Sequence, residues 1–220
     1  ALGATITYGK KDKAIGKLAY HCLAQAVKDL NGEKIDVLVT APINKETIKS
    51  KNFSFIGHTD YLNEKIEGSS VMMMVSDSLR VALLTEHLSL SKVASSITKD
   101  LVESRTKSIH KTLQLDFNIL EPKIAMLSID PHAGDNGVIG NIDNMVLVPC
   151  IRSMRKEGIM VNGPFPADSF FGSMKYQEFD AVIAPYHDQG LIPFKTLSFG
   201  KGVNFTSGLK YVRTSPDHGT

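Results

Sequence analysis

Asp180-Ala181-Val182-Ile183-Ala184-Pro185-Tyr186-His187 is the stretch on which the fold turns. It has the length and composition of a buried strand, stopped by a proline and followed at once by a histidine. Two other stretches repeat the design. Arg80-Val81-Ala82-Leu83-Leu84-Thr85-Glu86 leads to His87, and Lys123-Ile124-Ala125-Met126-Leu127-Ser128-Ile129-Asp130-Pro131 leads to His132. In an open α/β sheet, ligands bind in the crevice outside the carboxyl ends of the parallel strands. Three imidazoles at three such ends, with an open fourth position, are the makings of a catalytic metal site. The pattern points to an enzyme.

Outward from these runs the chain alternates strands with helices. Apolar residues at helical spacing predict an amphipathic helix over 12–30, with Cys22 on its apolar stripe and Asn31-Gly32 as its stop. A buried strand is expected over Ile35–Thr40 and a short helix from Asn44. A loop is expected through Gly57-His58-Thr59-Asp60, and strands over Val71–Val75 and Leu79–Thr85, joined at Ser76-Asp77-Ser78. Helices follow over Leu88–Thr98, Lys99–Leu115 and Asn141–Glu157, the last fed by the glycine-rich loop Ala133–Gly137. Asn162–Pro166 reads as a loop, Ala167-Asp168-Ser169 as the start of a helical turn, and Val203–Thr206 as a strand. A first strand is expected over Ala4–Tyr8. The sum is an α/β fold, a mostly parallel sheet with helices on both faces.

The 220 residues carry a formal charge of only +2, which argues against a nucleic-acid or membrane-surface partner. Two cysteines with no C-x-x-C neighbour suggest a reduced, cytoplasmic protein. No basic and apolar leader opens the chain, and no apolar run is long enough to span a bilayer. Met72-Met73-Met74 reads as core strand. His21 reads as structural and His110 as solvated on a charged helix. No G-x-G-x-x-G follows a strand, so a standard dinucleotide loop is not indicated.

Several further side chains could bear chemistry. Asp188, beside His187, is either an orienter of the imidazole or a turn or helix cap. His58 and Thr59, after Gly57, could donate hydrogen bonds to a substrate oxygen, or could cap a helix beginning near Tyr61. Lys195 in Pro193-Phe194-Lys195, beyond the His187 loop, suits phosphate binding or proton transfer, or is simply solvated. Arg213 suits bidentate recognition of a carboxylate or phosphate, or forms a surface salt bridge; Asn204 lies near it in sequence.

These segments together resemble the 4-hydroxythreonine-4-phosphate dehydrogenase family of pyridoxal phosphate biosynthesis. The resemblance is carried by Thr40-Ala41-Pro42-Ile43-Asn44-Lys45, Gly57-His58-Thr59-Asp60, Thr85-Glu86-His87, Pro131-His132-Ala133-Gly134, Gly163-Pro164-Phe165-Pro166-Ala167-Asp168, Tyr186-His187-Asp188-Gln189-Gly190, Gly202-Val203-Asn204 and Arg213–Thr220. It implies His87, His132 and His187 as ligands of a divalent metal (zinc, or magnesium, manganese or cobalt). It implies that His58, Thr59, Lys195, Asn204 and Arg213 hold a small phosphorylated substrate, with Lys195 and Asp188 the candidates for catalytic work. It also implies NAD or NADP as oxidant and a homodimer with a shared active site, so the three histidines need not come from one chain. The implied architecture is the two-domain αβα type related to isocitrate and isopropylmalate dehydrogenases. These residues are then expected to hold its central domain and part of a second, with terminal family segments outside them. Asp60 and Asp135 stand where the family has glutamate, Asp130 where it has asparagine, and Ile142 where it has an acidic residue.

The expected reaction is oxidation and decarboxylation of 4-phosphohydroxy-L-threonine to 3-amino-2-oxopropyl phosphate. The alternatives are a related dehydrogenase of four-carbon sugar-acid phosphates or dihydrodiol acids, or a metal-dependent phosphate-ester hydrolase that needs no NAD.

Overall fold

The structure is a computed structural model and describes residues 5, 7, 9–55 and 57–219. Ala4, Ile6 and Tyr8 of the expected first strand lie outside the described residues. The chain divides into two compact units. The first joins Ala1–Ser70 to Val203–Thr220, and the second is the continuous stretch Val71–Gly202.

In the first unit, helix α1 (Lys13–Asn31) starts where the Asp12 carboxylate accepts a bond from the Ala14 N–H, and it ends at Gly32. Leu23, Val27 and Leu30 are its buried stripe; Cys22 and His21 are exposed instead. The strand expected over 35–40 is only three residues, β1 (Val37–Val39), with Leu38 alone buried. The expected helix from Asn44 is a turn: the Asn44 side chain accepts from the N–H groups of Glu46 and Thr47, and this local bonding replaces helix propagation. Helix α2 (His58–Lys65) begins at His58 itself, where a loop was expected. The strand β7 (Val203–Leu209) runs longer than expected. It pairs antiparallel with β8 (Val212–Pro216), which in turn pairs parallel with β1. Strand β8 escapes a hydropathy reading because Val-Arg-Thr-Ser-Pro is mostly polar. The core beneath gathers Leu23, Val27, Leu30, Leu38, Ile48, Phe53, Tyr61, Leu62 and Ile66.

The second unit carries a mostly parallel sheet. Strand β2 (Gly68–Val75) forms a hairpin with β3 (Arg80–Leu83). From there β3, β6 (Ala181–Ala184), β4 (Ile124–Leu127) and β5 (Val161–Phe165) lie side by side, all parallel. Val81, Leu83, Ala125, Leu127, Val182 and Ala184 share a cluster with Phe170 of α6 (Ala167–Gly172) and Leu191 and Phe194 of α7 (His187–Ser198). Residues of opposite parity, Ala82, Ile124, Met126 and Ile183, are also fully buried, so both faces of these strands are covered. Buried residues of α4 (Lys99–Leu115) and α5 (Val148–Lys156) complete the unit, with the short α3 (Leu90–Ser96) before them. Met73 and Met74 are core, as expected, whereas His110 is half-buried rather than solvated, and burial pulls its pKa down.

Two corrections matter for the site. Asn162–Phe165, expected as a loop, forms most of β5; its proline sits on an edge strand, where a missing donor is tolerated. His187 opens helix α7 and is not in a loop. Pro193 lies inside that helix, which is held to the sheet by Leu191 and Phe194 on either side of the proline. The approach requires Gly190: a Cβ there would lie 2.8 Å from Val81 Cγ1 and 2.9 Å from the Ala184 Cβ.

Candidate functional site

His87, His132 and His187 follow β3, β4 and β6, three neighbouring parallel strands in the order β3-β6-β4. All three therefore leave the sheet at its carboxyl edge, the place where an open α/β sheet binds ligands.

Each histidine has its own support. Beyond the last paired residues, Leu84 N–H donates to the Ala184 carbonyl at 2.9 Å, and the Thr85 hydroxyl donates to the Pro185 carbonyl at 2.8 Å. The strands leading to His87 and His187 are thus stitched past their ends. Glu86 is half-buried and accepts from Arg105 at 2.9 Å and from the Met72 N–H at 3.2 Å, while Arg105 also donates to the Leu83 carbonyl. His187 Nδ1 lies 2.8 Å from Asp188 Oδ1, so its Nε2 is the nitrogen left to face outward. Gln189 donates to the Ser128 carbonyl at 2.7 Å and ties the start of α7 to the end of β4.

His132 stands on the most unusual backbone of the chain. His132, Ala133, Gly134, Asp135 and Asn136 all have positive φ, from 44° to 80°. Left-handed conformation in residues other than glycine costs on the order of 1–2 kcal/mol each, and it persists only where surroundings over-determine it. Here the buried Asp143 carboxylate accepts from the Ile129 N–H at 2.8 Å and the Asp130 N–H at 2.9 Å, gripping the chain just before the turn. Burial raises the Asp143 pKa, and the two backbone bonds oppose that rise. The Ile139 N–H closes the far side on the Gly134 carbonyl.

The rings of His87 and His187 face each other with centroids 6.2 Å apart. Zinc–imidazole bonds are about 2.0–2.1 Å, so one ion can lie between two rings at this separation or somewhat closer. The cavity in front of them measures about 550 Å³ and is lined by Glu86, His87, Leu88, Tyr186, His187 and Asp188, among others. His132 is not brought into that pair. Among the described residues, no three His, Cys, Asp or Glu side chains form a group that could hold a metal ion. Imidazole donors at the correct edge of the sheet fit a divalent ion in chemistry, and the described chain is one ligand short of closing the set.

The expected phosphate-binding residues divide between the units. His58, Thr59, Asn204 and Arg213 belong to the first, and Lys195 lies exposed in the second half of α7 in the second. Arg213 is only 3% exposed, which rules out a surface salt bridge. Its guanidinium donates to the Thr40 hydroxyl at 2.6 Å and the Thr206 hydroxyl at 3.2 Å, and its Nε has no partner among the described residues. A buried cation surrounded by hydroxyls and no carboxylate is unusual, because desolvation is normally offset by an anion. Burial lowers the Arg213 pKa to about 10, and burial together with Arg213 lowers His58 to about 4, so His58 is neutral near pH 7. Arg213 pairs across the strands with Thr206, and Asn204 with Ser215, which puts Asn204 and Arg213 on one face. His58 is the first residue of α2, and the preceding Gly57 offers no side-chain cap, so backbone N–H groups of the first turn are open to an anion.

Thr40, Glu86, Asp143 and Gln189 were not singled out from sequence. Each acts through a contact distant along the chain. The only local signal was that three of them adjoin motif residues: Glu86 precedes His87, Gln189 follows Asp188, and Thr40 opens Thr-Ala-Pro.

The chain is matched along residues 1–220 by the model for the pyridoxal phosphate biosynthetic protein PdxA family. It is 45% identical over 217 residues to 4-hydroxythreonine-4-phosphate dehydrogenase of Bacteroides thetaiotaomicron, covering 98% of this chain and 60% of that protein. To the enzyme of the same name from a Sulfurihydrogenibium species it is 43% identical, covering 98% of this chain and 66% of the relative. A crystal structure of 4-hydroxythreonine-4-phosphate dehydrogenase from Klebsiella pneumoniae superimposes with a TM-score of 0.87 at 33% identity, over 97% of this chain and 65% of that one. The chain thus spans somewhat under two thirds of the length of these relatives. With the match running its whole length, the chain belongs to the pyridoxal phosphate biosynthetic protein PdxA family.

Proposed function

We propose that this chain carries the catalytic core of a metal-assisted, NAD-dependent 4-hydroxythreonine-4-phosphate dehydrogenase. The observation that carries the reading is the placing of His87, His132 and His187 at the carboxyl ends of three adjacent parallel strands. The buried, unpaired Arg213 supports a phosphorylated substrate. The names of relatives at 43–45% identity supply the substrate class.

The substrate, 4-phosphohydroxy-L-threonine, has a secondary alcohol between its phosphate-bearing carbon and the carbon that holds the amine and carboxylate. Oxidation of that alcohol makes a ketone β to the carboxylate, which then leaves as carbon dioxide and yields 3-amino-2-oxopropyl phosphate. When bound, the divalent ion polarises the reacting oxygen and the nicotinamide cofactor accepts the hydride. The chain's own residues do the rest. His87 and His187 would hold the ion, with Asp188 fixing the His187 ring through Nδ1. His132 would be the third ligand, supplied in a homodimer with a shared active site that completes a set one chain leaves open. Arg213 would neutralise the phosphate, with the hydroxyl of Thr59, neutral His58 and Asn204 of the same unit as further donors. Holding the phosphate fixes the alcohol's position, and positioning alone can supply much of the rate. Lys195 is the proposed proton carrier. Among the described residues no helix is long and apolar enough to cross a membrane.

The test is NADH formation by the full-length protein from 4-phosphohydroxy-threonine, a four-carbon sugar-acid phosphate and a dihydrodiol acid, with and without a chelator. Turnover of the first, abolished by chelation and restored by zinc, cobalt or manganese, is expected. Release of inorganic phosphate without NAD reduction would overturn the reading.

A further inference from the structure

We infer that a second anion site, independent of the catalytic reading, lies on the first unit between α1 and the segment 47–52, and that it binds a small phosphate-bearing anion. A cavity of about 240 Å³ opens there. Its lining includes Lys13, Lys17 and His21 from α1 and Lys49, Ser50 and Asn52 from the opposite wall. Every one of these six side chains can donate a hydrogen bond, and no acidic residue lines the cavity.

The charges are arranged against the helix that bears them. Lys13, Lys17 and His21 are spaced four apart, so they stack along one face of α1. Like charges at that spacing repel. Asp12 caps α1 through the Ala14 N–H, but the first turn itself holds no acidic residue beside Lys13. Among the described residues Lys13, Lys17 and Lys49 form no ion pair, although Lys11, Lys34 and Lys65 of the same unit do. Glu46, which feels the Lys13 charge, is already engaged by Lys11. A bound anion would relieve all of these at once.

The walls are built, not incidental. Gly16 lets α1 lie against the opposite segment: a Cβ there would fall 2.1 Å from the Thr47 carbonyl oxygen. The Asn44 side chain orders Glu46 and Thr47. Ser50 and Phe53 exchange both backbone bonds, which sets Ser50 and Asn52 in place. Ile48 and Phe53 anchor that wall in the core. The volume sets the ligand. It is below the usual range of about 300–1,000 Å³ for sites that enclose a whole organic ligand, so the cavity takes a mono- or diphosphate group and leaves the rest of its bearer outside.

The experiment is a titration of the chain with inorganic pyrophosphate, followed by backbone amide NMR at constant ionic strength. Saturable shifts confined to residues 13–21 and 47–52 are expected, beside any seen at the Arg213 site. The double variant Lys17→Gln/Lys49→Gln replaces two exposed side chains that belong to neither the metal nor the substrate set, so it should fold as the parent does. It should weaken binding at this cavity at least tenfold and leave the Arg213-site shifts unchanged. Shifts at 13–21 and 47–52 that do not saturate, or that survive in the double variant, would overturn the inference. Because the readout is binding to a separate set of amides, a failure here is distinct from a failure of the dehydrogenase reading.

Discussion

Arg213 and His58 show how a single charge, buried without a counter-charge, shapes its neighbourhood. The folded state holds the His58 pKa near 4, below its ordinary 6.5, through burial and the Arg213 charge. Between those values the unfolded chain binds a proton that the folded chain refuses. The native state is therefore undisturbed by this group above about pH 6.5 and loses stability as pH falls towards 4. Thermal melts across that window should show a downward drift in Tm that is shallower in His58→Gln. An identical slope in the variant would remove His58 as its source. Arg213→Lys is a harsher test of the phosphate role. Lysine keeps the charge but cannot reach Thr40 and Thr206 together with a planar fork. KM for the phosphorylated substrate should rise at least tenfold, with a smaller change in kcat. From sequence, the type and position of Arg213 were legible, and its burial was not. It lies in Val-Arg-Thr-Ser, a polar run in which Arg213 alone is buried, met by Thr206 from β7 and by Thr40 just past the end of β1.

Elements were legible where one periodicity ruled them. Lys99–Leu115 is legible to the residue because neither glycine nor proline interrupts it; Thr98, expected as the end of the preceding helix, is its cap. The strands of the β3-β6-β4 core were read because burial on both faces leaves an unbroken apolar run. Misreadings fell where a local breaker was outvoted by packing. The stretch at His187 reads as a loop, but it opens α7, which Leu191 and Phe194 hold to the sheet through Pro193. Gly163-Pro164 suggested a loop, but an edge strand tolerates both. The left-handed run at 132–136 has Gly134 within it, Gly137 after it and Pro131 before it, and no other sign in sequence. Its holding group, Asp143, lies eleven residues from His132. Asp143→Ala leaves the Ile129 and Asp130 N–H groups without their acceptor, a loss of about 2–3 kcal/mol in global stability for two charge-assisted bonds. Metal affinity should fall with it, while His110→Gln, at a half-buried position of the same unit, should leave metal affinity unchanged. Gly190→Ala drives a methyl into Val81 and Ala184 and should cost about 1–3 kcal/mol.

At the scale of the whole chain, the first unit is discontinuous in sequence and the second is not. Strand β8, added from the far end with its partner β7, pairs with β1 only after 132 intervening residues (71–202) have been traversed. Contacts that close so long a loop form late and are lost early when the pairing is small. The pairing here is small: β1 is three residues long at the edge of its sheet, with Val37 50% and Val39 72% exposed. The β6 and β4 strands stand at the other extreme, fully buried and paired on both sides. Native-state hydrogen exchange should therefore separate the units. The amides of Val182 and Ile183 should exchange only through global unfolding and follow its dependence on denaturant. The Val39 and Thr40 amides, although the latter bonds to the Thr214 carbonyl, should exchange through local opening, at least a hundredfold faster and with little denaturant dependence. Equal protection at Thr40 and Ile183 would mean that the discontinuous unit opens only with the continuous one, and that the edge position of β1 does not govern its stability. The same measurement bears on function. Thr40 supports Arg213, so local opening at β1 loosens the phosphate-binding guanidinium before it disturbs the histidines at the ends of β3 and β6. Substrate phosphate should accordingly slow exchange at Thr40, and at Ile183 as well, because global unfolding also releases the ligand.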